Sequence, residues 1–456
     1  MRRFSEQSVT LPAELVSAIR EGNCIAFVGA GFSGAAKFPG WSQLLEKLTT
    51  HVGPDLRAHL QKRLSEPTGD VLEEVAQVLE DELGTNKLVN HLRDLLTAHD
   101  LPQAMQERLR WLQGIPFRAI LTTNFDTLLQ GEAPSTMMYR NILRAPRPRW
   151  WDEGFWEPSD VRPPILKLHG DVRDPDTVVF TRRGYRKRLH SDPHFTRFLG
   201  PLFAQYTVLY LGFSFTDAYV NELRSEALAM LGHDNNASPI AFTIANDVPE
   251  RTRKYREQHE GIRVLPYSKK GNNDFSGFDH YLKALYESTS PLFHFGRLLE
   301  NRRLLWLDAE PGNNLLVKHF FGRAKQEAGL PLATMQFEQV RTVDEAVTAL
   351  QTAAQEKRPF DLVITHWGFQ ARSQSVAEQF LSAMRRQDLR GPVLIFSGES
   401  DVEKRRRHAL SLGAYEYCWT FGGLLRAIER VLGPGIERET SADTTIRRAG
   451  LAAGTP

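Results

Sequence analysis

The chain has 456 residues and a formal net charge of +2, with 41% hydrophobic residues. It has room for two or three domains with sizeable cores, and its charge balance gives no global electrostatic reason to bind nucleic acid. No segment approaches the roughly 20 apolar residues of a membrane-crossing helix, the start Met1-Arg2-Arg3-Phe4-Ser5-Glu6 lacks a signal-peptide core, and two distant cysteines, Cys24 and Cys418, cannot build a disulfide framework; a cytoplasmic protein without a membrane partner is expected.

In chain order, the segment 11–20 reads as an amphipathic helix with Pro12 in its first turn. It leads into Asn23-Cys24-Ile25-Ala26-Phe27-Val28, an apolar run that ends in Gly29-Ala30-Gly31-Phe32-Ser33. This is the form of a strand turning into a nucleotide-binding loop, since residues without Cβ allow a sharp turn and close approach of backbone N–H groups to a pyrophosphate. The third glycine of the dinucleotide fingerprint is missing, so the loop alone has an equally good structural explanation. From about 42 to 113, Leu44, Leu45, Leu48 and then Val71, Leu72, Val75, Val78, Leu79 recur at spacings of three and four, which predicts a helical insertion.

Three more apolar runs break into polar residues where parallel strands would end. Ala119-Ile120-Leu121-Thr122 continues into Thr123-Asn124-Phe125-Asp126, and Ile165-Leu166-Lys167-Leu168 continues into His169-Gly170-Asp171. The third is Val208-Leu209-Tyr210-Leu211, continuing into Gly212-Phe213-Ser214-Phe215-Thr216-Asp217. Polar groups at the carboxyl ends of parallel strands face a ligand crevice. Taken in order, the four segments resemble the sirtuin family, with its Gly-Ala-Gly-x-Ser loop, Asn-x-Asp segment, His-Gly pair and Gly-x-Ser loop. The resemblance covers 1–295 and is closest to the sirtuin-like branch of bacterial antiphage systems, which hydrolyses NAD rather than deacylating proteins. It implies a Rossmann-like parallel sheet whose insertion roofs the nucleotide. Protein-deacylating sirtuins usually hold a zinc with four cysteines; two cysteines exclude that site, and no metal ligand is assigned.

The segment Arg144-Ala145-Pro146-Arg147-Pro148-Arg149-Trp150-Trp151-Asp152-Glu153-Gly154-Phe155-Trp156 cannot be a regular helix. Its arginines and tryptophans suit either nucleic acid or, more simply, anchoring to a core or neighbouring subunit. The basic runs 182–188 and 404–407 read as solvated faces. Near residue 300 a new α/β alternation begins, with strands at 304–307, 360–366, 392–398 and 413–417. It resembles a response-regulator receiver, a flavodoxin-like doubly wound domain over 302–433. Asp308, Glu310 and Ser397 retain acids and a hydroxyl, but His366 stands where the resemblance puts the phosphate-accepting aspartate and Thr420 where it puts a lysine. A pseudo-receiver without phosphoryl transfer is expected, with assembly or sensing as its role. The segment 434–456 is small, polar and aperiodic, and is expected to be disordered.

The resemblance implies that Asn124 and His169 are catalytic and that Asp126 either assists or caps a following helix. Cofactor-binding roles fall to Gly29, Ala30, Gly31, Phe32, Ser33, Thr123, Gly212, Ser214 and Asn246. NAD is the implied substrate, to be split with water into nicotinamide and ADP-ribose. A regulated homo-oligomer is expected, restrained by a partner protein or by the pseudo-receiver until a phage trigger arrives. Open alternatives are an NAD-dependent deacylase, a nucleotide sensor that does not cleave, and a nucleic-acid-binding effector subunit.

Overall fold

The computed structural model describes residues 9–65, 71–97, 100–131, 163–191, 193–215, 221, 224–225, 241–269, 271, 274–331, 335–368, 375–398 and 402–433. The Arg144–Trp156 segment, Thr216, Asp217 and the 434–456 tail lie outside them. The chain divides into two compact units, the division falling between Ser290 and Pro291.

The first unit opens with α1 (Ala13–Arg20) and β1 (Cys24–Val28). Pro12 occupies the position just before α1 rather than its first turn, at φ −59° and ψ 130°; its missing N–H costs nothing there. A short α2 (Ala30–Ser33) follows β1, and then α3 (Trp41–Leu48), α4 (Pro54–Ser65), α5 (Val71–Leu83), α6 (Thr85–Leu96) and α7 (Gln103–Gly114). Leu44, Leu45, Leu48, Val71, Val75 and Leu79, spaced for one helix face, share a buried cluster with Leu88 and Leu92. After them come β2 (Ile120–Thr122), β3 (Ile165–Lys167), α8 (Arg182–Ser191), α9 (Pro193–Gln205), β4 (Thr207–Leu211), β5 (Ala241–Asn246), α10 (Glu250–Glu260), β6 (Ile262–Tyr267) and α11 (Ser276–Thr289).

The six strands run parallel in the order β3-β2-β1-β4-β5-β6, the Rossmann arrangement. Every residue of β1 is buried, as a strand covered on both faces requires. Ile25 and Phe27 pack with Leu121, Leu166, Tyr210, Leu202 and Phe203, while α1 packs on β1 and α11 on β5 and α7. Strand order reverses between β1 and β4, so the turns after Val28 and Leu211 are neighbours. Glycines let these turns touch through their backbones. The Gly31 N–H donates to the Gly212 carbonyl at 2.9 Å, Gly212 has φ +63°, and a Cβ on it would lie 2.1 Å from the Phe32 nitrogen.

The second unit consists of α12 (Pro291–Leu298), β7 (Arg303–Leu307), α13 (Leu315–Glu327), β8 (Gln336–Val340), α14 (Val343–Gln355), β9 (Leu362–Thr365), α15 (Val376–Arg386), β10 (Val393–Phe396), α16 (Val402–Ser411), β11 (Glu416–Cys418) and α17 (Phe421–Leu432). Its five parallel strands are ordered β11-β10-β9-β7-β8. Counted within the unit this is 2-1-3-4-5, the flavodoxin-like order. The period of two along a strand distributes the core: Leu305, Leu307, Val363, Val393 and Ile395 enter one cluster, and Leu304, Trp306, Leu362, Ile364 and Leu394 enter the other. Among the described residues no helix is long and apolar enough to cross a membrane.

Replacing Gly212 by alanine is expected to lower unfolding free energy by at least about 2 kcal/mol, because left-handed backbone and steric overlap act together. Gly322→Ala, inside α13 with open space around it, is expected to raise stability by about 0.5–1 kcal/mol. Denaturant titration of the two variants checks both signs.

Candidate active site

Val28, Thr122 and Lys167 stand side by side in the sheet, Val28 paired with Thr122 and Thr122 with Lys167. One residue past Val28 is Gly29, two past Thr122 is Asn124, and two past Lys167 is His169. The register therefore delivers the glycine turn, the amide and the imidazole to one edge at matching height. Thr122 starts the arrangement: its hydroxyl donates to the Val28 carbonyl at 2.9 Å and accepts the Asn124 backbone N–H at 3.1 Å.

Asn124, Ser33 and Asp126 are hydrogen-bonded to one another and nearly buried, with exposures of 7%, 2% and 4%. The Asn124 amide donates to the Gly29 carbonyl and to the Ser33 hydroxyl, both at 3.1 Å. A carbonyl can only accept, so the amide nitrogen must face Gly29 and the orientation of the side chain is settled. The Ser33 hydroxyl donates to Asp126 Oδ2 at 2.7 Å, and the other carboxylate oxygen accepts the Leu128 N–H at 3.1 Å. Asp126 thus closes a local turn; of the two roles the sequence left open, assisting at the site or capping a following helix, the described residues 127–131 contain no helix for the second. Burial pushes its carboxyl above the usual range, opposed by the Ser33 hydrogen bond and by Lys167.

Ser33 accordingly stands with the amide and carboxylate, not on the exposed rim of the loop. Ala30 and Gly31 form that rim. The Gly29, Gly31 and Phe32 amides already donate to Leu211, Gly212 and Gly29 carbonyls at 2.9–3.0 Å, so the first use of these glycines is packing. The Phe32 side chain lies in the core, with the buried Arg108 guanidinium 5.6 Å from its ring. Arg108 also donates to the Phe32 carbonyl and pairs with Asp279, each at 2.7 Å. Thr123 is half-buried beside Asn124, Ser214 is exposed in the turn after β4, and Asn246 ends β5, where its amide donates to Asp247 at 3.2 Å.

His169 is 8% exposed. Its ring sits 5.9 Å from Phe125 and nearly perpendicular to Tyr185, whose hydroxyl hydrogen-bonds the imidazole, lying 3.0 Å from Nδ1 and also against Nε2. Gly170 follows at φ +83°, where a Cβ would come within 2.1 Å of the Thr177 carbonyl. Beneath these groups lies Lys167, 1% exposed. Its ammonium donates to the Phe125 and Asp126 carbonyls at 3.3 and 2.5 Å and to Asp171 at 2.8 Å. Burial pulls the ammonium below its usual range, and Asp171 opposes this. Burial alone would push the Asp171 carboxyl up, but hydrogen bonds from Arg173 and Lys167 outweigh it and hold the carboxyl at about 2.

Lys167, Asp171 and Tyr185 were not anticipated as site residues. A lysine at the end of an apolar parallel strand is itself a signal, because a buried ammonium requires acceptors. Tyr185 was hidden in the basic run 182–188. Arg183 of that run does face outward, pairing with exposed Asp81 at 3.0 Å, but Tyr185 turns inward.

Residues 118–265 match the model of the SIR2-like domain. Within the first unit, that stretch is SIR2-like. The chain is 26% identical over 235 residues to NAD(+) hydrolase ThsA of Enterococcus faecium and 22% over 218 residues to that of Bacillus cereus, matches that take in 50% and 47% of this chain. The chain spans less than half of these relatives, 42% of each. It is 19% identical to Defense-associated sirtuin 2 of Bacillus subtilis, over 61% of this chain and 29% of that protein. Among solved structures, the receiver domain of histidine kinase CKI1 from Arabidopsis thaliana aligns with 31% of this chain and 95% of its own, at 13% identity and a TM-score of 0.24.

In the second unit, Asp308 directly follows β7 and accepts the Glu310 N–H at 2.9 Å and the Asn314 amide at 2.8 Å. His366 directly follows β9, with Nδ1 3.7 Å from Asp308. The Thr420 hydroxyl accepts the Gly423 N–H at 2.9 Å, capping α17, and the Ser397 N–H continues the sheet to the Cys418 carbonyl. The described His, Cys, Asp and Glu residues include no group arranged to hold a metal ion.

The depressed Asp171 carboxyl contributes stability that is present above its ordinary 3.8 and is lost as pH falls toward 2. Melting temperatures followed from pH 5 to pH 2 are expected to fall less steeply for Asp171→Asn than for the parent.

Proposed function

We propose that the chain is an NAD hydrolase of the sirtuin-like defence type. The observation that carries this reading is the hydrogen-bonded chain Asn124–Ser33–Asp126 on the same carboxyl edge of the Rossmann sheet where the neighbouring strand β3 brings His169. Relatives named NAD(+) hydrolase and Defense-associated sirtuin support it.

NAD would lie across the ends of β1 and β4, its pyrophosphate over the Ala30–Gly31 rim and its adenosine toward Gly212, Ser214 and Asn246. The nicotinamide ribose would then reach Asn124 and His169. The Asn124 amide protons are engaged by Gly29 and Ser33, which leaves its Oδ1 to accept a hydrogen bond from water or a ribose hydroxyl without adding charge. As the glycosidic C–N bond breaks, its electron pair goes to the nicotinamide nitrogen and neutralises it, and positive charge develops on the ribose. The water oxygen bonds to the anomeric carbon, and its proton passes to the His169 imidazole acting as general base. Asp126, nearby and nearly buried, favours the cationic transition state when ionised.

The second unit would serve as a restraint or trigger sensor. It keeps an acid and an imidazole at its strand ends, but the lysine position is taken by a helix-capping threonine. In this reading the proposed limits are 1–295 for catalysis and 302–433 for regulation, against a division of the compact units between Ser290 and Pro291.

Purified protein given NAD should release nicotinamide and ADP-ribose without an acyl-lysine peptide. Asn124→Ala and His169→Ala should each lower that rate by about 100-fold to 10,000-fold with an unchanged circular dichroism spectrum. Release that requires an acyl-lysine peptide would make the protein a deacylase, and saturable NAD binding without release would make it a sensor.

A further inference from the structure

We infer that Lys167 is a positioning residue: its buried ammonium sets the spacing between the turn that carries Asn124 and Asp126 and the turn that carries His169. The catalytic consequence rests on the hydrolase reading; the structural coupling does not.

An ammonium has three protons and no acceptor. All three have a destination here, in the Phe125 carbonyl, the Asp126 carbonyl and the Asp171 carboxylate. The first two belong to the turn after β2, and the third belongs to the turn after β3, on which His169 also stands. Asp171 is a fixed anchor, since it also accepts the Arg173 backbone N–H at 2.8 Å and its Nε at 2.9 Å. Ladder bonding between β2 and β3 ends at Leu168 N–H to Thr122 O, 2.8 Å, and farther along the turns meet again through Val172 N–H and Phe125 O at 3.3 Å. Asn124, Phe125 and His169 lie between those two bonds. Over this stretch Lys167 draws the two turns onto a single charge. The groups facing it are Asp171, Asp126 and Arg173; burial is the largest influence and favours loss of the proton, and Asp171 is the largest influence that holds it.

Lys167→Met keeps the length and apolar stem of the side chain but leaves two buried carbonyls without this donor. Its expected effect is a fall of about 100-fold in kcat, the order of loss for displaced catalytic groups, with KM for NAD unchanged because the Ala30–Gly31 rim is not involved. Amide hydrogen exchange in Lys167→Met should rise in peptides covering 122–129 and 167–174 together. Parental kcat, or faster exchange confined to 167–174, overturns the proposal. Asp171→Asn keeps an acceptor oxygen but removes the counter-ion, so Lys167 gives up its proton more readily and the alkaline limb of the kcat profile should move to lower pH. Should Lys167→Met fail to fold, an unmoved limb in Asp171→Asn overturns the proposal, and a lowered limb supports it. If the parent releases no nicotinamide, the hydrolase reading fails, while hydrogen exchange in Lys167→Met, or in Asp171→Asn if the methionine variant does not fold, still decides the coupling.

Discussion

Parallel pairing of β1, β2 and β3 brings Val28, Thr122 and Lys167 into one row, and the chemistry of the first unit depends on what lies one or two residues beyond that row. A parallel sheet covered on both faces has its polar opportunities at the strand ends. Here those ends hold an amide, a carboxylate, a hydroxyl and an imidazole, all nearly buried. Burial of so many polar groups is tolerable only because each is satisfied by another. Asn124 bonds Gly29 and Ser33, Ser33 bonds Asp126, and Lys167 ties the turn of Asp126 to Asp171. The network leaves these groups little freedom to wander, which is the condition for acting on one bond of a bound molecule.

The glycine turns support the same edge from the β4 side. Gly29 and Gly31 read in isolation as a phosphate cradle, but their amides bond neighbouring carbonyls, and a Cβ on either would lie 2.7–2.8 Å from the Gly212 carbonyl. Close approach of two backbones at the point where strand order reverses is the primary reason for the missing side chains. The exposed rim at Ala30 and Gly31 is a by-product of that packing. Arg108 and Phe32 brace the rim from the core side.

The second unit repeats the principle with other chemistry. Its alternating strand residues supply two cores, and its strand ends again gather polar groups, Asp308 with Asn314 and His366. Thr420 is used as a helix cap, a role that depends on its hydroxyl and on the adjoining glycines rather than on a cation.

Apolar runs closed by glycine or polar residues were enough to mark β1 to β4, and helical spacing was enough to mark α3 and α5 within a helical stretch of about 42–113, because both patterns record local burial. The order of the runs also suggested which ends would meet. The sequence did not disclose that Lys167 links two turns, that Tyr185 leaves a basic run to meet His169, or that Ser33 sits between Asn124 and Asp126. Periodicity says which face a residue occupies, whereas a hydrogen bond between residues 33 and 126 depends on register between strands far apart in the chain. Local pattern therefore determined the elements and the residue types at their ends. Which of those residues share a proton or a charge was decided by strand order and register, which exist only once the sheet has assembled.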